Sequence, residues 1–243
     1  MGEGSWLARS RSRLLDSHPD AEDWRNRFFS AGMLSLHRVT RTLLATHCRG
    51  RVLDAGAGRQ AWRRTIESVA GRYESLDRGA PGDRRPTHEG DVADMAVLAE
   101  RQFDTVVCTQ VLEHVSEPWA ALAEMRRVLR PGGALILTAP HLSRRHELPH
   151  DYFRYTQEGL RVLLQRTGLD VVELGAYGGV LSFLHHQASF VFPGLVASLP
   201  VAGALASLAN APLAWTLEAL DRLIDRRALL PLGVFAVARR PDG

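Results

Sequence analysis

Two stretches of this 243-residue sequence combine residue types that do chemistry with a spacing that lets them act together. The first is Val52-Leu53-Asp54-Ala55-Gly56-Ala57-Gly58-Arg59-Gln60, an apolar run that leads straight into a Gly-x-Gly turn. Glycine at 56 and 58 permits a tight turn and the close approach of a ligand to the backbone. Asp54, just ahead of the turn, is suited to orient the loop and to accept hydrogen bonds from a cationic amine. About 19 residues beyond Gly58, Asp77 ends the second candidate strand, where a carboxylate can take both hydroxyls of a ribose. Gly56-x-Gly58-x-x-Ala61 also satisfies the dinucleotide fingerprint, so the turn alone leaves two cofactor classes open.

The second stretch, Pro140 to Tyr155, carries His141, His146 and His150 among Arg144, Arg145, Glu147, Asp151, Tyr152 and Arg154. Histidine titrates nearest neutrality, so His150, His146 and His141 are the candidate catalytic groups for proton transfer, with packing or salt bridging as the structural alternative. Tyr152 and Arg154 are the substrate-side candidates, because a guanidinium pointing inward suits a carboxylate or phosphate. His146 and His150 stand four apart, and with His141, Glu147 and Asp151 they have the chemistry of metal ligands. Pro149 breaks the helix that would present both imidazoles on one face, so no metal is expected.

The elements that must position these groups read as alternating strands and helices. Candidate strands are 51–55, 72–77, 87–90, 105–109, 134–138, 171–176 and 233–238, separated by helical stretches that include 119–129 and 157–168. Positions 119, 122, 125, 128 and 129 form a single apolar stripe at helical spacing. The Gly-x-Gly turn should open into a helix holding Trp62 and Ile66. In an open α/β sheet ligands gather beyond the carboxyl ends of the strands, where the histidine-rich loop also starts. Before the first strand, Trp24, Phe28, Met33, Leu36, Leu43 and Leu44 recur at roughly helical spacing and predict an N-terminal helical flap.

In this order the segments resemble the class I S-adenosylmethionine-dependent methyltransferases whose first strand reads V-L-D-x-G-x-G. Residues 51–60 resemble that first motif, Glu74-Ser75-Leu76-Asp77 the acidic strand end, and Glu89-Gly90-Asp91-Val92 the next acidic loop. Phe103 to Val115 resembles the F-D-x-V…L-E-H-V segment, and Arg127-Val128-Leu129-Arg130-Pro131-Gly132-Gly133 the helix-ending L-x-P-G-G turn. The resemblance spans roughly residues 50–175 and breaks the tie between cofactors in favour of S-adenosylmethionine, with S-adenosylhomocysteine as its product. It implies a Rossmann-like fold, a seven-stranded and mostly parallel sheet flanked by helices with the last strand antiparallel. It further implies that Asp54, Gly56 and Gly58 hold the methionine portion, Asp77 the ribose, and Asp91 with Val92 the adenine, with Arg78 also a cofactor-binding residue. Gln110 and His114 would flank the cofactor near the substrate. Gln60 departs from the pattern, standing where the family often has a third glycine. The wording around His146 to Thr156 also resembles a segment of many bacterial members, which gives that loop a partly architectural reading.

The expected activity is methyl transfer to a small molecule, oxygen being favoured over nitrogen or carbon, in a natural product, sugar or lipid-linked intermediate. Aligning a nucleophile with the methyl group and excluding water is the protein's main task in such an in-line displacement, and a base is optional. A non-catalytic S-adenosylmethionine-binding scaffold and an NAD-dependent oxidoreductase are the alternatives.

Composition narrows the partners. All 30 basic residues are Arg and Lys is absent, which fits a GC-rich bacterial genome and removes Lys as a catalytic base. A formal charge of +3, with Arg scattered along the chain, argues against nucleic acid. Two separated cysteines, Cys48 and Cys108, suggest neither a disulfide framework nor a zinc site and fit a cytoplasmic protein. Charges at Glu3, Arg9, Arg11, Arg13 and Asp16 speak against a signal peptide.

Residues 174–217 contain no Asp, Glu, Lys or Arg. Pro193, Pro200, Pro212 and Asn210 make a poor spanning helix of this stretch, which reads instead as a helical cap over the site or a homodimer contact. Peripheral contact with the inner membrane through residues 180–217 is the third option, with Arg222, Arg226 and Arg227 next to it. The expected division is an N-terminal helical segment (1–48), a Rossmann-like core (49–178), an apolar helical insertion (179–229), and a last strand with a tail (230–243).

Overall fold

The computed structural model describes residues 30–79, 85–196, 200–225 and 227–242. Trp24 and Phe28, and with them most of the expected N-terminal segment, lie outside the described residues. The first described helix, α1 (Ala31–His47), is capped by Ser30, whose hydroxyl accepts from the Met33 amide at 3.2 Å.

The strands are β1 (Arg51–Ala55), β2 (Arg72–Asp77), β3 (His88–Glu89), β4 (Phe103–Thr109), β5 (Leu129–Pro140), β6 (Asp170–Tyr177) and β7 (Gly233–Arg239). They form one sheet in the order β3-β2-β1-β4-β5-β7-β6, the Rossmann-like arrangement expected, with β7 antiparallel to both of its neighbours and the other pairs parallel. Successive side chains of a strand face opposite sides, and the core divides accordingly. Leu53, Val106, Leu135 and Ala236 face one cluster, and Val52, Val107, Ile136 and Val237 face the other. Helices α3 (Pro118–Val128) and α4 (Gln157–Arg166) cover the first face through Leu122, Met125, Leu160 and Leu164. On the second face lie α1, through Leu43 and Leu44, and the short helix α2 (Arg63–Glu67), through Ile66.

One expected boundary moves. The Arg130-Pro131-Gly132-Gly133 segment belongs to the entry of β5 rather than to a turn closing the helix, because α3 has already ended at Val128 and Leu129 is extended (φ −68°, ψ 142°). A following proline disfavours helical backbone at Arg130, and Gly132 supplies a left-handed φ of +70° within the strand's irregular start.

The uncharged segment forms a hairpin of two helices, α5 (Val180–Val196) and α6 (Pro200–Ile224). The acidic residues that follow it in sequence fasten the hairpin. Asp221 accepts from the amides of Leu181 (3.0 Å) and Ser182 (2.6 Å), Asp225 accepts from Val180 (3.1 Å), and Glu218 pairs with Arg38 of α1 at 2.7 Å. The carboxylates of Asp221 and Asp225 sit on the positive end of α5 and satisfy amides that a helix start leaves unpaired. Among the described residues no helix is long and apolar enough to cross a membrane.

Candidate active site

A cavity of 530 Å³, within the range of small-molecule and cofactor sites, opens beyond the carboxyl ends of β1, β2 and β4. Of the residues assigned by sequence to a cofactor, Asp54, Gly56, Gly58, Asp77, Arg78, Val92, Gln110 and His114 line it.

The turn after β1 is drawn onto the end of β2. The amides of Gly56 and Ala57 donate to the Leu76 carbonyl (2.8 and 3.1 Å), and the Gly58 amide donates to Asp77 Oδ2 at 2.8 Å. Gly56 has φ +74°, and a Cβ there would lie 2.6 Å from Val111, so neither the conformation nor the space admits a side chain. Gly58 has φ +50° with nothing within 4 Å of its Cβ direction, which leaves its backbone open to a ligand.

Gln60, the residue out of pattern, adopts a glycine-like φ of +59° while fully buried. Its amide donates to the Arg85 carbonyl (3.0 Å) and accepts from Arg63 (3.2 Å). The glutamine therefore keeps the turn's path and adds a tie to the segment that follows β2, at the cost of local backbone strain.

Asp54 is buried, with the Tyr73 hydroxyl donating to Oδ2 at 3.0 Å. Burial pushes its carboxyl up to about 7, the Tyr73 bond opposes that rise, and the nearby charge of Asp77 adds to it. A buried carboxyl on a cavity wall, held near neutrality, is primed for a cationic ligand. These features fit S-adenosylmethionine: an acid for the amine, an exposed glycine backbone, and a strand-end carboxylate for the ribose.

Asp91 departs from its expected role. Its carboxylate accepts from the Ala93 amide (2.8 Å) and from Arg78 Nε (2.9 Å) and does not line the cavity, whereas Gly90 and Val92 on either side of it do. The local bond to an amide two residues ahead and the ion pair hold the side chain aside.

Beyond β4, Gln110 sits at φ +54° and its amide donates to Thr138 Oγ1 and the Tyr177 hydroxyl, both at 3.2 Å. Of the three candidate catalytic histidines only His146 reaches the cavity. His150 is exposed, with Nδ1 against the Tyr152 hydroxyl at 3.1 Å, and Tyr152 is itself exposed. His141 lies off the cavity, its backbone amide bonded to Leu232 O (2.8 Å).

Arg154 is not a substrate anchor either, because its guanidinium is consumed within the loop by Asp151 and by the carbonyls of Ser143 (3.2 Å) and Arg144 (2.7 Å). That clamp is what turns residue 146 inward, since Asp151 Oδ2 also accepts from the His146 amide at 3.0 Å. Burial lowers the pKa of His146, so its imidazole is neutral at neutral pH.

Several wall residues escaped the sequence reading. Met33 and Leu36 come from α1, Trp62 from the start of α2, Arg144 and Glu147 from the loop, and His186 from α5. The helical spacing of Met33 and Leu36 marked only a buried face, and His186 stood in a short polar run, His185-His186-Gln187, of an otherwise apolar stretch. In the structure His186 Nδ1 meets the Ser30 hydroxyl at 2.7 Å, and His185 Nδ1 accepts from the Ala31 amide at 3.1 Å, so the insertion caps the helix that lines the cavity. Burial, reinforced by the charge of Arg144, pushes His186 down to about 4.

Comparison with known proteins agrees with this geometry. The methyltransferase domain family matches residues 53–137. A probable S-adenosylmethionine-dependent methyltransferase of Mycolicibacterium smegmatis is 32% identical over 160 residues, covering 59% of this chain and 62% of its own length. A ubiquinone biosynthesis O-methyltransferase of Xanthomonas euvesicatoria is 32% identical over 102 residues, 40% of this chain and 41% of its own. The chain thus spans less than two thirds of either relative. Among solved structures, the [4+2]-cyclase SpnF superposes with a TM-score of 0.58 at 19% identity, over 85% of this chain and 82% of that one, a likeness of fold alone. The domain match, the relatives and the strand order agree in likening residues 53–137 and the sheet around them to the class I S-adenosylmethionine-dependent methyltransferases.

Proposed function

We propose that the protein moves a methyl group from S-adenosylmethionine to an oxygen of a small molecule with an apolar body. The observation that carries this reading is a single cavity joining Asp54, Gly58 and Asp77 on one side to His114, His146 and Glu147 on the other, with Met33, Leu36, Trp62 and Val115 between. The bound cofactor supplies an electrophilic methyl on a sulfonium. The protein's part is to fix the acceptor in line, and Asp54 would pair the amine, Asp77 the ribose and Val92 the adenine. The apolar residues of α1 and α2 exclude water and match an apolar acceptor. His146, kept neutral by burial, is the side chain that would receive the proton of an acceptor hydroxyl. The stretch shared with the ubiquinone O-methyltransferase supports oxygen as the acceptor atom.

Calorimetric titration with S-adenosylhomocysteine, with NADH as control, tests the cofactor. We expect micromolar binding of S-adenosylhomocysteine alone, weakened at least about tenfold in Asp77→Ala; binding of NADH alone, or of neither ligand, would sink the reading. A panel of phenols, sugars and isoprenoid alcohols with methyl-labelled cofactor then tests the acceptor. Binding without turnover on any of them would favour a scaffold role.

The insertion is read as a cap, through His186 and its bonds to α1. Its outer face presents Leu213, Trp215, Leu220, Leu223 and Ile224 to solvent beside Arg222 and Arg227. We infer that this face rests on an anionic membrane surface, with a homodimer contact as the alternative.

A further inference from the structure

Glu113 is fully buried in the short 3-10 turn after β4, and among the described residues neither of its carboxylate oxygens has a hydrogen-bond partner. A buried carboxyl with no partner is costly enough to require an explanation. An imidazole stands beside it, with His114 Nε2 3.8 Å from Glu113 Oε1 and 3.7 Å from Glu147 Oε2. His114 Nδ1 lies 2.8 Å from the His150 carbonyl, which can only accept, so Nδ1 carries a hydrogen and Nε2 is the ring nitrogen turned toward the two carboxylates. His146 Nδ1 lies 3.2 Å from the Arg144 carbonyl and 3.5 Å from the Arg154 guanidinium, and the two rings meet edge to face at 4.7 Å. Donor atoms of Glu113, His114 and His146 all lie within 4.8 Å of one another. A buried carboxylate among ring nitrogens is held at least cost with a cation or a proton beside it.

We propose that Glu113, His114 and His146 bind a divalent transition-metal cation, with Glu147 at the rim and the cavity side left for a substrate oxygen. Imidazoles held by backbone carbonyls through their other nitrogen are the usual support of metal ligands, because the bond fixes both tautomer and ring orientation. Two imidazoles and a carboxylate suit zinc or iron(II) better than magnesium or calcium, and three protein ligands are the pattern of sites that keep a position for substrate. Around a tetrahedral ion with bonds of about 2.0–2.1 Å the donors stand ~3.3 Å apart, so binding draws these side chains together by roughly an ångström.

The role of the ion rests on the methyltransferase reading; the site itself does not. An acceptor hydroxyl bound to the cation loses its proton to water more readily, and the resulting oxygen forms its bond to the methyl carbon as the carbon–sulfur bond breaks. The cation then performs the acidification otherwise left to His146, which acts as a ligand.

The test uses the whole chain after dialysis against a chelator, titrated with Zn²⁺ by calorimetry and with Co²⁺ by visible absorption. One equivalent should bind in the micromolar range or tighter, with a Co²⁺ ligand-field band and a raised Tm. Glu113→Gln and His146→Ala should each weaken Zn²⁺ at least about tenfold, with His150→Ala within about threefold of wild type. Absence of the band and of the Tm rise in the wild-type protein overturns the proposal, whether or not the variants fold. So does stoichiometric binding that both variants leave unchanged, in which case a protonated Glu113 explains the buried carboxyl. S-adenosylhomocysteine is titrated in parallel: Zn²⁺ binding without it sinks the methyltransferase reading and spares the site, and the reverse result sinks the site alone.

Discussion

Asp54 keeps its proton up to about pH 7 because burial penalises the carboxylate more than the Tyr73 hydroxyl stabilises it. An ammonium group pairs only with the ionised form, so below that pH binding must first expel the proton. Affinity for S-adenosylhomocysteine should therefore rise with pH toward 7 and flatten above it, by at most about tenfold per unit on the acid side. Calorimetry in buffers of differing ionisation enthalpy reads the released proton, and Asp54→Asn should bind weakly with no such release; a wild-type profile in that variant would remove Asp54 from the amine site. On the acceptor side, His146→Ala should lower turnover by about 10²–10⁴-fold with S-adenosylhomocysteine affinity little changed, while His150→Ala stays near wild type. Equal losses in both variants would mean that the loop's fold, not His146, is being read. Asp54, Gly56, Gly58 and Asp77 were legible in the sequence because each sits beside a strand end, where local pattern fixes its place. The facing of three histidines was not, since it depends on how Asp151 and Arg154 clamp an irregular loop.

At the level of elements, strands bounded by Gly, Pro or a charge were read to within a residue or two, and β1 and β2 without error. The start of β5 was missed because Pro-Gly-Gly carries the same local signal whether it closes a helix or opens an irregular strand. The helical hairpin was legible as apolar, but its docking was not: the carboxylates that hold α5 lie about forty residues downstream of the amides they cap. Asp221→Ala removes two buried bonds to the start of α5 and should cost about 2 kcal/mol. For a chain of this size that is a Tm lower by roughly 4–8 °C, with Asp221→Asn partly restoring it. A scanning calorimeter decides, and an unchanged Tm would mean that the hairpin is held by its apolar packing alone.

For the whole molecule, the membrane contact proposed for the outer face of α6 is open to a direct test. Wild-type protein should co-sediment with vesicles containing phosphatidylglycerol, less so as salt is raised and not when Trp215 and Ile224 are both changed to Ser. A concentration-dependent doubling of mass without vesicle binding would assign the same face to a second copy. The sheet itself has an order of assembly written into it. β5 and β6 do not pair; β6 is joined to the sheet only through β7, which also covers the edge of β5 that β4 leaves open and which follows both in the chain. During synthesis β6, α5 and α6 must wait beside an unfinished edge until Gly233–Arg239 has left the ribosome, when one strand closes both gaps. A truncation or frameshift just before Gly233 would thus expose two long strand edges at once and make an aggregating chain rather than a slightly shortened enzyme.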